Sequence, residues 1–312
     1  MKLFIFKNIR TVLIVFLLLS SAFAQAQNVN TEEKALQALT FAKTLNQFSN
    51  AYDEPTRILH AFLAATEALS EDSSLNVVAE SLLSFPIMNK QHEYARISAC
   101  SAAQHNSLIR NYVYQQFHSS DSTSVVYAAR VLLKWGNYDE SIPIILKTKH
   151  YSYFEYPIIN KMPEHNKVQI IDQIRDVNSL INHTWREKLH AAIIAQRLGI
   201  QDQLPAIIEK ILRDVPLDSG EKNINQCKFE AIENMQKYNY MNYIKYLPRL
   251  ANDESRLVRM QTVVCANYYA KKGNKDALRA LEEISNNSND LRLKETAKGY
   301  LKKTRKIKEI RR

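Results

Sequence analysis

Three polar residues near the middle of the chain have a spacing that could support metal chemistry. His183, Glu187 and His190 fall at i, i+4 and i+7, so a helix would present all three on one face. Zinc takes about four ligands, often with one position left to water. The sequence shows no HExxH pattern and suggests no fourth ligand. We therefore favour a solvated polar face without metal or cofactor, and keep a metal-dependent enzyme as the alternative.

A second candidate for chemistry is the pair Cys100 and His105, which lie in or near one helix. A thiol–imidazole pair acts as a nucleophile when a third group orients the imidazole. The sequence indicates no such group, and it contains no GxSxG, P-loop or GxGxxG motif. Most Asp and Glu residues occur at expected helix starts and exposed faces, where capping explains them. We predict that the protein is not an enzyme.

The chain has three cysteines, Cys100, Cys227 and Cys265, each in an apolar helical context. An odd number leaves at least one thiol unpaired within a monomer. A bridge between Cys227 and Cys265 is the alternative, but packed helix axes lie about 8–10 Å apart, whereas a disulfide needs Cα atoms within about 7 Å. We expect free thiols that pack as small hydrophobic side chains.

The densest aromatic cluster is the segment 150–157, with the sequence HYSYFEYP. Its rings can fill the core between helices. They can also form a partner-binding patch, because aromatic side chains provide a large and rigid contact area. The residues predicted for such a patch are Tyr151, Tyr153 and Tyr156.

The helices that position these residues follow a pattern that is clearest in the stretch 252–303. Val258, Thr262, Cys265 and Tyr269 fall at i, i+4, i+7 and i+11, the period of a helix with one buried stripe. A break at Gly273-Asn274 and a second helix follow, and the second helix carries one apolar face: Ala277, Ala280, Leu281 and Ile284. A polar turn, 285–290, then leads to a third helix.

This unit recurs along the chain as a fixed spacing. A small residue is followed four positions later by an apolar residue, and after four more positions by Gly or Asn. Small residues let helices approach closely, and Gly or Asn accepts the left-handed backbone of a helix C-cap. A second amphipathic helix follows each copy. The four copies are Ala128/Leu132/Gly136, Ala191/Ala195/Gly199, Ala231/Met235/Asn239 and Cys265/Tyr269/Gly273.

The remaining units are less regular. An amphipathic helix over Thr31–Phe48 is expected to cap the array, and a degenerate unit lies around 151–177. Three carboxylates near the starts of second helices can accept backbone N–H bonds: Asp139, Asp202 and Asp276. Helix pairs that recur about every 30–40 residues predict an all-α fold, an α-solenoid of stacked antiparallel helix pairs.

The clearest copy resembles HEAT repeats. Asp253 lies in the turn between units, Val258-Arg259 opens the next helix, Gly273 ends it, and Leu278 lies in the second helix. The resemblance covers residues 50–305 and is clearest after about 120. A turn that is similar to a tetratricopeptide repeat makes that family the second choice: Gly136-Asn137-Tyr138-Asp139-Glu140. In such families the repeats generally serve as scaffolds and binding surfaces, so the resemblance implies a binding surface without identifying its ligand.

The first 26 residues predict an export signal. A basic region with Lys2, Lys7 and Arg10 precedes an apolar run, 11–19, and small-residue cleavage patterns follow at 22–26. The run is shorter than the roughly 20 residues that cross a bilayer, and a signal anchor is the alternative. We expect a signal peptide over 1–26 and one solenoid domain over 27–312, with the clearest repeats in 120–305. The mature chain is expected to be periplasmic or secreted and to have no transmembrane segment.

The net charge of +10 is concentrated at the two ends of the chain. Residues 294–312 contain nine Lys or Arg and two Glu, a net charge of +7, and the signal segment carries three more basic residues, so residues 27–293 are close to neutral. A nucleic-acid partner is therefore not predicted. The basic end is either a solvated cap or a contact with anionic lipid, acidic polysaccharide or acidic protein. Its candidate residues are Lys302, Lys303, Arg305, Lys306, Lys308, Arg311 and Arg312.

These features predict a protein-interaction scaffold of the cell envelope that binds another protein. The alternative is an envelope-surface binder, held to anionic lipid or glycan by the basic end.

Overall fold

The computed structural model describes residues 31–48, 54–180, 182–217 and 222–310. Within these ranges the chain is all-α, with sixteen α-helices, four 3-10 helices and no strand. The 3-10 helices are Cys100–Ala102, Tyr151–Tyr153, Val177–Ser179 and Met241–Tyr246. The α-helices are α1 (Thr31–Phe48), α2 (Glu54–Glu71), α3 (Asn76–Leu83), α4 (Lys90–Ala99), α5 (Ser107–Phe117), α6 (Ser122–Lys134), α7 (Tyr138–Lys147), α8 (Tyr156–Lys161), α9 (Glu164–Ile174), α10 (Trp185–Arg197), α11 (Gln203–Asp214), α12 (Lys222–Lys237), α13 (Leu247–Leu250), α14 (Arg256–Lys271), α15 (Lys275–Asn287) and α16 (Leu291–Ile310).

The chain up to Ser141 forms one compact unit. Helices α2, α4 and α6 pack side by side in one layer, and α1, α3 and α5 form the other. The core between the layers includes an edge-to-face pair of rings, Phe62 and Phe85, whose centroids lie 5.0 Å apart. Helices two positions apart in the chain therefore pack within a layer, and the pairs α1–α2, α2–α3 and α5–α6 pack between the layers.

The chain from Ile142 onwards forms a second compact unit. Helices α10, α12, α14 and α16 pack side by side, and each contacts the next along the row. A second layer is formed by α11, the segment Met241–Leu250 and α15. Within each unit this sequential stacking of helix pairs is the α-solenoid arrangement that the periodicity predicts.

The predicted left-handed helix ends are confirmed at all four copies of the unit. The φ angles are 89°, 95° and 87° at Gly136, Gly199 and Gly273, and 59° at Asn239. The N–H one residue later donates to the carbonyl of the apolar residue of the same copy, as Ile200 does to Ala195 at 2.9 Å. This is the hydrogen bond that closes a Schellman motif.

The small residue of each copy lies in the core. Ala128, Ala191, Ala231 and Cys265 are fully buried, so neighbouring helices approach closely at these points. The apolar stripe predicted for α14 is buried as well, and so is the apolar face predicted for α15. The local pattern therefore identifies the inward face of these helices correctly.

Several local predictions are wrong in detail. The segment after Asn239 is not one amphipathic helix but the 3-10 helix Met241–Tyr246 followed by the single turn α13. Asp202 makes no side-chain cap hydrogen bond, because its backbone is already helical. At α15 the cap is Asn274, which accepts from the N–H of Ala277 at 2.9 Å. The α15 helix also continues to Asn287, into the predicted polar turn.

A buried ion pair joins α12 to the turn that precedes α14. The Lys228 ammonium lies 2.5 Å from the Asp253 carboxylate, and both side chains are fully buried. Lys228 also donates to the carbonyls of Pro216 at 3.0 Å and Leu217 at 3.4 Å. Asp253 accepts the N–H of Ser255 at 2.9 Å. A buried lysine therefore connects two inter-helix turns to the middle of α12.

Two further sequence predictions concern export and membrane spanning. The segment predicted as a signal peptide, 1–26, lies outside the described residues. Within the described ranges no helix is long and apolar enough to span a membrane.

Candidate interaction surface

The three residues considered as metal ligands lie near one another in sequence but bind different partners. The Nε2 atom of His183 lies 2.8 Å from the hydroxyl of Tyr151, and the two rings stack. Glu187 closes a capping box with Thr184 at the start of α10. His190 donates to Glu230 on α12 at 2.7 Å. In the described part of the chain, no group of three His, Cys, Asp or Glu side chains could hold a metal ion.

Glu230 is the centre of a polar cluster between α10 and α12. Its carboxylate accepts from Arg186 at 2.9 Å, from Gln226 at 3.0 Å and from His190 at 2.7 Å. Partial burial by itself raises the pKa of Glu230, but the hydrogen bonds from His190, Arg186 and Gln226 outweigh it and lower the pKa to about 2. The cluster thus holds two neighbouring repeats together through a charged carboxylate.

The pair Cys100 and His105 does not form a nucleophilic site. The Cys100 thiol donates to the carbonyl of Arg96 at 3.2 Å, and burial raises its pKa to about 12. The Nε2 atom of His105 lies 3.3 Å from the amide of Gln104. All three cysteines of the chain are free and buried, which confirms the expectation of free buried thiols.

The structure divides the predicted aromatic patch between core and surface. Tyr151 is buried against His183, and Phe154 is fully buried. Tyr153 is half-buried, while Tyr156 is 60% exposed. Tyr151 is therefore a core residue and offers no surface to a partner. Of the three predicted residues, Tyr156 has the most accessible ring.

A second group of aromatic residues lies where α12 ends and the next helices begin. We call it the tyrosine edge, and its residues are Tyr238, Tyr240, Met241, Tyr243 and Tyr246. Tyr238 and Tyr240 stack with centroids 6.0 Å apart, and Tyr240 meets Tyr243 at a steep angle at 6.1 Å. All four rings are half-buried, and Met241 is 46% exposed. The left-handed backbone of Asn239 turns the chain between the first two rings.

Lysine side chains lie over two rings of this edge. Lys237 lies over the ring of Tyr238 at 5.3 Å, and Lys245 lies over that of Tyr246 at 4.9 Å. Burial, with the neighbouring phenols, raises the pKa of Tyr240, so its hydroxyl stays protonated near neutral pH. The edge combines flat aromatic faces, phenol hydroxyls and ammonium groups. Tyr is common at binding hot spots, and an ammonium over a ring face adds a cation–π attraction.

Contacts with the neighbouring turns hold the tyrosine edge in place. The Tyr246 hydroxyl donates to Glu209 of α11 at 2.8 Å. The Tyr240 hydroxyl approaches Gln196, beside the Gly199 turn, at 3.5 Å. On the other side, the amide of Asn274 lies 3.8 Å from the sulfur of Met241. The edge is thus supported by repeats on both sides and presents its rings from a fixed backbone.

The predicted basic end is described only in part. Lys302 and Lys303 are exposed on α16, whereas the flanking Leu301 and Thr304 are buried. Side-chain positions are not described for Arg305, Lys306 and Lys308, and Arg311 and Arg312 lie outside the described residues.

Comparison with models of known protein families gives no match to this chain. A comparison with the curated proteins gives none either.

The sequence contained a signal for the tyrosine edge that periodicity alone did not reveal. Residues 237–246 read KYNYMNYIKY, in which tyrosine alternates with Asn and Lys. The pattern after Asn239 predicts a second amphipathic helix, which would place some of the rings in the core. The short 3-10 helix instead leaves the rings at the border between core and solvent.

Proposed function

We propose that this protein is a non-enzymatic interaction scaffold built from HEAT-like repeats, which binds another protein through the tyrosine edge. The observation that carries the proposal is the set of four half-buried tyrosine rings with the exposed Met241 on a rigid turn. Half-buried rings lose little conformational freedom on binding, and Tyr and Met are enriched in protein interfaces. The expected export signal assigns the scaffold to the cell envelope.

Site-specific photo-crosslinking tests this proposal in cells that make the protein naturally. A photoreactive amino acid at Met241 is expected to give a discrete protein adduct in the envelope fraction. The same probe at Val168, an exposed apolar residue of α9, serves as the control and is expected to give none. Adducts with lipid or glycan alone, or none at either site, would contradict the scaffold.

Variants of the tyrosine rings test whether the adduct at Met241 depends on the tyrosine edge. Tyr240→Ser with Tyr243→Ser is expected to abolish the Met241 adduct, because the stacked faces are lost. Tyr240→Phe keeps the ring and removes the hydroxyl, so the adduct is expected to persist. Unchanged helical circular dichroism and melting temperature show that both variants are folded.

A second candidate function is favoured by the exposure of Lys302 and Lys303. Two adjacent ammonium groups on the last helix can contact anionic lipid or glycan. Lys302→Glu with Lys303→Glu is then expected to weaken binding to vesicles that contain phosphatidylglycerol, and to remove its dependence on salt. If the vesicles bind the variant as well as the original chain, this second function is excluded.

A further inference from the structure

The outward face of α14 carries an apolar stripe that stays partly exposed among the described residues. We call Leu257, Met260 and Val264 the α14 stripe; they fall at i, i+3 and i+7 and are 50%, 37% and 37% exposed. The opposite face of the helix is buried in the core. Apolar side chains aligned over two turns of a helix are more than the scattered exposed residues that any surface carries.

The α14 stripe does not continue as an apolar surface onto the neighbouring helices α12 and α16. The small residues Ala231, Cys265 and Ala297 mark equivalent positions of α12, α14 and α16, and all three are fully buried. By this register the neighbours of Met260 and Val264 are Gln226 and Glu230 on one side and Arg292 and Thr296 on the other, and all four of these neighbours are polar. The stripe is therefore a narrow apolar line between two polar rows.

Helix α14 itself carries a net positive charge. Helix α14 contains Arg256, Arg259 and Lys271 and no acidic residue. Arg259 pairs with Asp290 at 3.1 Å, which leaves Arg256 and Lys271 exposed at the two ends of the helix. On the neighbouring row, the hydrogen bonds from α10 already compensate the carboxylate of Glu230.

This charge excludes two occupants from the same chain. A second copy would place one basic α14 against another, and like charges repel across an interface. The longest part of the chain outside the described residues, 1–30, carries three basic residues and no acidic one. Neither occupant complements the positive ends of the helix.

We propose that the α14 stripe docks an acidic amphipathic helix of another protein. A helix rises about 1.5 Å per residue, so Arg256 and Lys271 lie about 22 Å apart, which matches roughly four turns of a bound helix. Its apolar residues at i, i+3 and i+7 would contact the stripe while its carboxylates meet Arg256 and Lys271. This assignment rests on the proposed scaffold function and names the chemistry of one partner.

A lipid surface fits the α14 stripe less well than a helix does. Met260 and Val264 are nearly two-thirds covered by their neighbours, so they do not protrude as membrane-inserting side chains do. A bound helix can contact a stripe that does not protrude, because the side chains of the bound helix reach down to Met260 and Val264.

Peptide binding to the purified full chain tests the proposal. The probe is a labelled synthetic helix of about 15 residues with Leu at i, i+3 and i+7 and Glu on its other faces, and its twin carries Lys in place of Glu. Fluorescence anisotropy is expected to show at least about tenfold tighter binding of the Glu peptide, with the difference reduced by added salt. Equal binding of the two peptides would overturn the proposal.

Variants of the α14 stripe and of its flanking basic residues show where the Glu peptide binds. Met260→Ser with Val264→Ser is expected to weaken binding of the Glu peptide at least about tenfold, and Arg256→Glu with Lys271→Glu is expected to remove the preference for Glu over Lys. Val168→Ser, at an exposed apolar residue of α9, is the matched control and is expected to change nothing. Unaltered affinity in the stripe variant would overturn the proposal.

Three outcomes separate this proposal from the proposed function. If the stripe variant loses binding to phosphatidylglycerol vesicles while neither peptide binds, the stripe is a lipid contact and the proposal fails. If the Met241 crosslink forms in cells but the Glu peptide does not bind, the scaffold stands and the stripe assignment fails. Peptide binding without any Met241 crosslink supports the stripe and rejects the tyrosine edge.

Discussion

The buried pair Lys228–Asp253 shows how a single residue can connect repeats. A fully buried ammonium is costly unless every donor is used, and Lys228 reaches one carboxylate and two carbonyls. Asp253 in turn orders the turn that starts α14 through the N–H of Ser255. Because each partner compensates the other, losing one of them costs more than losing both.

We expect Lys228→Met to lower the free energy of unfolding by about 3–5 kcal/mol, because it leaves the Asp253 carboxylate buried without its cation. The double variant Lys228→Met with Asp253→Asn is expected to recover much of this loss. Urea denaturation followed by circular dichroism measures both.

The control for this prediction is Lys298→Met, which breaks the exposed pair with Glu295. Exposed ion pairs contribute little, so the stability is expected to stay nearly unchanged. A Lys228→Met chain as stable as this control would show that the buried pair is not what holds the turn.

The Glu230 cluster predicts a pH dependence of stability. Its folded pKa of about 2 lies below its ordinary value of 4.5, so the unfolded chain binds the proton more readily. The stabilisation from Glu230 is therefore complete above about pH 4.5 and is lost as the pH falls towards 2. Glu230→Gln is expected to be less stable than the original chain at pH 6, and the difference is expected to shrink at pH 3.5.

Denaturant midpoints for the two chains at both pH values measure this change. Carboxylates away from this cluster titrate alike in both chains. Burial and the charge of Glu230 raise the pKa of Glu233, so the difference between the chains reports on Glu230 together with its neighbour Glu233. A constant difference across this range would mean that His190 and Arg186 do not hold the carboxylate ionised.

Among the elements of the fold, the C-terminal ends of the first helices define the repeating unit. The left-handed turns at Gly136, Gly199 and Gly273 end the first helix of each pair and set the direction of the second. The backbone conformation alone requires glycine at these turns, because a β-carbon added at Gly199 or Gly273 would meet no atom within 4 Å. The glycines are needed for the positive φ angle and not for space.

Gly199→Ala is expected to lower the free energy of unfolding by about 1–2 kcal/mol, because alanine is strained at a φ of 95°. Gly299→Ala is the matched comparison. Gly299 lies inside α16, also has nothing within 4 Å of its β-carbon position, and has no positive φ.

Removing the flexible glycine from the helix interior is expected to raise the stability by about 0.5–1 kcal/mol. Chemical denaturation of the two variants should therefore give changes of opposite sign. Changes of the same sign would show that helix propensity, and not the turn geometry, decides the effect.

At the scale of the whole molecule, the three cysteines report on packing. Cys100 lies in the first compact unit, and Cys227 and Cys265 lie in the second. Burial raises the pKa of each thiol to about 12. Reaction of a thiol therefore requires that the surrounding repeats open.

We expect the native protein to react with no thiol reagent on the timescale of minutes, and the denatured chain to titrate three thiols. A chromogenic disulfide reagent, added with and without guanidinium chloride, measures both. One thiol per denatured chain would indicate a disulfide that the structure does not contain, and fast native labelling would indicate open repeats.

Much of the fold could be predicted from local patterns. Helix periodicity located the buried faces of α14 and α15, and the bounds of α1 were predicted residue for residue. The C-caps at Gly136 and Gly199 were predictable because a left-handed backbone favours one residue type, and that preference depends on a few neighbouring residues only. These features require no knowledge of which helix packs against which.

The candidate sites depended on information that is not local. His183 and His190 share a face by spacing, yet their partners, Tyr151 and Glu230, come from different elements. Tyr240 is half-buried because the chain leaves α12 through the left-handed Asn239 and continues as the short 3-10 helix Met241–Tyr246.

The amino-acid sequence alone determined the C-terminal ends of the first helices of the repeat and the apolar faces of α14 and α15, because those properties depend on residues within one or two turns. Only the tertiary structure decided which polar groups are buried together, as at Lys228 and Asp253, and which apolar residues stay exposed, as at Met260. Burial is a property of the neighbours that fold against a residue, and these neighbours lie tens of positions away in the chain.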